Sequence, residues 1–178
     1  MTHQIFAAFS AVVFAATALP SIADAQLSAK SSAPTSRIAR AIELEEKALA
    51  LHGAPSRASE AAWLHKQAAS LRDPADPAGV QQLAVAAHLF NYANRPFDAR
   101  RTMEEAAERA LGMGDLVRAA QAYVEATFLA KAQNNRSEMN RLGRKALLLT
   151  HSPRLTPEER RLLTNRIGSD PVLAALLK

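Results

Sequence analysis

Residues 103–126, MEEAAERALGMGDLVRAAQAYVEA, hold two apolar stripes separated by Gly112-Met113-Gly114, and no other stretch limits the possible folds as much. Met103, Ala106, Ala107 and Ala110 recur at the three-and-four spacing that places side chains on one helical face. Two glycines stop that helix, and Asp115 stands where a side chain can cap the next. Leu116, Ala119, Ala120, Tyr123, Ala126 and Ala130 then repeat the spacing. Small residues dominate both faces, so the two backbones can approach closely as antiparallel neighbours joined by a tight turn. The flanking segments read as variations on this hairpin, and the rest of the chain is expected to stack on it.

Alanine makes up 31 of the 153 residues after position 25, aromatics are few and β-branched runs are nearly absent, which favours helices over sheets. Residues 26–36 are polar and without periodicity and read as a flexible lead-in. A first helix is expected over 37–52, with Ile38, Ala41, Ile42, Ala48 and Leu49 inward, ended by Gly53-Ala54-Pro55. The second, over 57–71 behind Ser56 as its cap, turns Ala61, Leu64, Ala68 and Leu71 inward. Asp76-Pro77 starts a third, to about 93, whose Val80, Leu83, Ala86, Ala87, Leu89 and Phe90 make an apolar surface wide enough for neighbours on two sides. After a helix over about 136–150, Thr156-Pro157-Glu158-Glu159 has the composition of a capping box opening another. A last short helix, from Asp170-Pro171 to Leu177, reads as a lid on the end of the stack.

With Met103, Ala106, Ala107, Ala110, Gly114, Asp115, Ala119, Tyr123 and Ala126 in one ungapped register, the central hairpin resembles a tetratricopeptide repeat, a unit of about 34 residues. Ala110 replaces an aromatic, and the closing proline is missing. Ala86, Phe90 and Ala93, followed by Pro96, reproduce the end of a preceding unit over 57–93, and Met139, Leu142-Gly143 and Ala146 the first helix of a following one. The resemblance implies an all-α fold in which antiparallel helix-hairpin repeats over 37–178 form a short right-handed α-solenoid. It implies a protein or peptide as the bound partner, held in a groove, and no cofactor. By register, the groove residues are Arg101, Glu104 and Glu108 in the central unit, Asn140 and Arg144 in the next, and Trp63 and Lys66 in the first. A frame shifted by one helix also gives partial matches, at Ala99, Met103 and Ala106, so two choices of groove-lining helices stay open. Chaperone-binding members hold acidic C-terminal tails with Lys, Asn and Arg, and Glu104 and Glu108 argue against that ligand here.

At the amino end, the charge-free run 5–19 followed by Ala23-Asp24-Ala25 reads as a secretory signal cut after Ala25. Fifteen residues at about 1.5 Å each fall short of a bilayer core of about 30 Å, and no other segment can span one. The expected setting is therefore periplasmic or secreted, with a partner from the bacterial cell envelope. The chain has no cysteine, which excludes disulfides, thiolate metal sites and a cysteine nucleophile.

Charge is unevenly spread. Residues 26–135 carry 13 basic and 12 acidic side chains, while 136–166 carry 8 and 3. Arg136, Arg141, Arg144, Lys145, Arg154, Arg160, Arg161 and Arg166 thus offer an alternative function, an electrostatic binder of anionic envelope polymers or lipid head groups. Nucleic acid is not expected, because no aromatic residues interleave with these cations for base stacking. Glu104 and Glu108 lie one turn apart, as catalytic carboxylates can, but such pairs are commonplace on helical surfaces, and catalysis is not expected. His52, His65, His88 and His151 lack metal-ligand spacing and read as helix-end or partly buried residues.

Overall fold

A computed structural model describes residues 32–169 and 174–175. The expected leader at 1–25 and nearly all of the short helix expected at 170–177 lie outside them. Among the described residues there are seven α-helices and no strand: α1 (Ser32–Leu51), α2 (Ala58–Leu71), α3 (Pro77–Tyr92), α4 (Pro96–Gly112), α5 (Leu116–Ala132), α6 (Arg136–Thr150) and α7 (Pro157–Gly168). Each helix from α1 to α6 packs antiparallel against the next, and α7 rests more lightly on both α5 and α6.

Three of the turns are copies of one another. Asn94, Gly114 and Asn134, twenty residues apart, take φ of 56°, 77° and 54°. In each turn the following residue's N–H reaches back to a carbonyl five residues earlier: Arg95 to Phe90, Asp115 to Ala110, Asn135 to Ala130. These are left-handed helix ends of the kind that glycine and asparagine accept. Two helices therefore repeat over 40 residues rather than about 34. Gly114→Ala should destabilise the protein by about 1–2 kcal/mol in urea unfolding, because a Cβ disfavours this conformation. Exposed Asn94 replaced by Gly should stay within about 0.5 kcal/mol of wild type.

Side chains cap the helices much as their spacing suggests. Asp76 accepts from the Ala78 N–H, Asp115 from the Arg118 N–H, and Thr156 and Glu159 form a reciprocal capping box on α7. Ser56 does not cap α2; it sits inside a short 3₁₀ turn, Pro55–Arg57, and Arg57 occupies the cap position without a side-chain capping bond.

The main core runs along α3, α4, α5 and α6, where alanines are interleaved with Leu83, Met103, Tyr123, Val124 and Leu142. Every register residue of the central hairpin outside its turn is buried in this seam. Phe90 fills a second cluster with Ala62, Ala86 and Ala99. At the end formed by α1 the burial is narrower than expected. α1 begins at Ser32, earlier than the expected position 37, and buries Ala41, Leu44 and Ala48. Ile38, Ile42 and Leu49, expected inward, are 47%, 45% and 59% exposed. As the first described helix, α1 packs chiefly against one neighbour, α2, and one neighbour covers only a narrow strip of a helix.

Arg109 of α4 joins three elements. Its guanidinium donates to the carbonyls of Ala69 (2.6 Å), Arg72 (3.2 Å) and Asp73, at the C-terminal end of α2 and just beyond it. It lies against Gly79 of α3, where a Cβ would fall 2.3 Å from the Arg109 Cζ.

Candidate functional site

The groove residues expected from the register all lie on α2, α4 and α6, and three of the seven, Lys66, Glu104 and Glu108, are paired with residues of other helices. Glu104 accepts two bonds from Arg141 (2.6 and 2.7 Å) and a longer one from Lys145 (3.3 Å). Glu108 accepts from Lys145 (2.6 Å) and from the Tyr123 hydroxyl (2.6 Å). Lys66 pairs with Glu105 at 2.6 Å, and buried Arg100 pairs with Glu138, which also holds Arg141. Arg101 lies 5.8 Å from the Phe97 ring centroid, while Asn140 and Arg144 are exposed on α6. Trp63, 42% exposed, meets Phe90 edge-on at 5.2 Å, with the Arg95 guanidinium over both rings.

These pairs set the electrostatics of that face. Hydrogen bonds from Arg141 hold the Glu104 carboxyl below the usual range, and Lys145 followed by Tyr123 does the same for Glu108. A general acid needs the opposite shift, so neither carboxylate is placed to donate a proton. Burial and the Glu108 carboxylate push the Tyr123 phenol up to about 12.

The same pairs use up part of the basic segment. Arg141 and Lys145 are engaged by α4 carboxylates, Arg166 binds Glu125 at 2.8 Å, Arg161 sits 3.4 Å from Glu158, and Arg160 donates to the Ser152 carbonyl. Arg136, Arg144 and Arg154 have no carboxylate partner among the described residues.

An open groove lies elsewhere, between α3 and α5 over a floor supplied by α4, with a volume of about 310 Å³. Val80, Ala84, Met103, Ala106 and Ala122 make its apolar base. Gln81 on one wall and Arg118 and Gln121 on the other form the polar rim, and His88 and Glu125 bridge the walls at 3.5 Å. Gln81 and Gln121 are exposed, occupy equivalent places forty residues apart, and have no hydrogen-bond partner among the described residues. Of the two frames, the one shifted by a helix brings α3 and α5 to the groove. Alternating periodicity cannot distinguish these frames, because both faces of each inner helix are apolar.

A second constellation joins residues that sequence spacing keeps apart. His52, just past α1, and His65 of α2 face each other with Nε2···Nε2 at 2.8 Å, and His65 Nδ1 bonds the Gln82 carboxamide of α3. His65 is 2% exposed, and burial lowers its pKa. Only the tertiary fold creates this pair. Among the described residues no three His, Cys, Asp or Glu side chains are grouped to hold a metal, and no helix is long and apolar enough to cross a membrane. Compared with known proteins, the chain matches no family model, no curated sequence and no solved structure.

Proposed function

We propose that the chain is an exported interaction module, a short tetratricopeptide-like α-solenoid with a longer, 40-residue repeat, whose α3/α5 groove receives a protein or peptide of the cell envelope. The observation that carries this reading is the groove itself, an apolar base rimmed by two unengaged carboxamides that can bond main-chain amides. The solenoid reading draws support from the repeated turn and from side-chain bridges between alternate helices. Lys66–Glu105, Arg141–Glu104 and Lys145–Glu108 link α2, α4 and α6, and His88–Glu125–Arg166 link α3, α5 and α7, at separations of 37 to 41 residues. Bridging at a near-constant sequence interval is what stacked hairpins produce. The role is binding, with no cofactor.

A photoreactive residue at Gln121, in protein produced with its leader, tests this. Irradiation should give a discrete protein adduct in the envelope fraction, on a chain that begins at Gln26, while the same residue at Arg144 should give none. An adduct from position 144 alone would move the site to the α2/α4/α6 face. No adduct from either position would overturn the reading.

A further inference from the structure

The geometry points to a proton-sensitive latch: the His52–His65–Gln82 chain holds α1 against α2 near neutrality and releases it when both imidazoles are charged.

Gln82 fixes the arrangement. Its carboxamide oxygen takes the proton of His65 Nδ1, which leaves His65 Nε2 as an acceptor and makes His52 Nε2 the donor across the 2.8 Å gap. A first added proton fits this pattern. On the other ring nitrogen of His52 it would leave the Nε2–H···Nε2 bond to His65 intact. A second proton does not fit. It must go to His65 Nε2, putting two N–H groups and two positive charges face to face with no acceptor between them, inside a seam where His65 is 2% exposed.

The rest of the α1 seam is thin. α1 contributes Ala41 and Leu44 to a small cluster with Ala68, separate from the main core. Its other inter-helix tie in this region is Glu45 to Arg72 at 2.7 Å, which continues to Asp76 at the start of α3. Glu45 is the carboxylate close enough to favour charge on His65, and it is already engaged by Arg72; α3 presents only the neutral Gln82. Few apolar contacts and one titratable clasp are the conditions under which a terminal helix opens locally without global unfolding.

Hydrogen exchange of the full chain between pH 7.5 and 5, corrected for intrinsic rates, tests the latch. Amides of 40–51 should lose protection about tenfold per pH unit below the histidine range, since opening takes up one more proton. Amides of α4 and α5 should keep theirs. His65→Gln removes the buried titrating group and should abolish the slope. If that variant leaves α1 unprotected at every pH, His52→Ala supplies the test, because it removes the opposing N–H at the rim and should reduce the slope. Imidazole ¹⁵N shifts at pH 7.5 should show His65 protonated at Nδ1. Wild-type protection that is flat with pH, an unchanged slope in the readable variant, or the other His65 tautomer would each overturn the proposal.

Discussion

Replacing Phe90 by alanine should lower the free energy of unfolding by about 3–5 kcal/mol. The ring is fully buried and is held by the Trp63 edge at 5.2 Å and the Arg95 guanidinium at 5.3 Å. Ala62, Ala86 and Ala99 form the rest of its buried cluster, with partly buried Leu89 and Leu129 against it. The three alanines have no rotamers with which to fill a void, so a cavity should remain beside them. Trp63, the only tryptophan, reports locally on the same site. Urea unfolding followed by both Trp63 fluorescence and circular dichroism should shift together. A loss under about 1 kcal/mol would mean that the pocket closes, against the packing described here.

The double reversal Glu104→Lys with Glu108→Lys should also destabilise the protein, by roughly 2–3 kcal/mol at pH 7. On the sequence alone these carboxylates read as groove-facing acids. In the fold they are what Arg141 and Lys145 of α6 bind. Reversal sets two new cations against those two. Most of the effect should come from Glu104, 19% exposed, since the 49% exposed Glu108 is screened by water.

The pH dependence has a definite sign. Arg141 depresses the Glu104 pKa in the folded state, so this stabilisation is present above 4.5 and is lost as pH falls through the folded value. The gap between wild type and variant in urea should therefore narrow from pH 7 to pH 3.5. Equal stability at pH 7 would show that these pairs do not hold α6 in place. The His65 effect occupies a different window. Its folded pKa is lowered, so its contribution is complete above 6.5 and declines as pH drops below that.

Local features were legible in the sequence and tertiary ones were not. The bounds of α6, the caps at Asp76, Asp115 and Thr156, and the buried register of α4 and α5 follow from spacing over a few residues. Gly114 advertised its turn, whereas Asn94 and Asn134 make the same turn with residues that read simply as polar. Periodicity shows that a face is apolar, not how many neighbours will cover it, which is why Ile38, Ile42 and Leu49 fit an inward stripe by spacing and yet are exposed. The basic partners of Glu104 and Glu108 lie 37 residues or more away, and His65 finds His52 at the end of α1 and Gln82 on α3. Such pairings depend on how helices align side by side, and no short-range pattern records that alignment.

The bridges between alternate helices bear on how the chain reaches its fold. None of those described spans more than 41 residues, and the direct packing is mainly between consecutive helices, with α7 also touching α5. Loop closure over such short distances is entropically cheap, and a topology made of near-neighbour contacts has low contact order. Folding can therefore nucleate at a central hairpin and spread outward one helix at a time, without waiting for the two ends of the chain to meet.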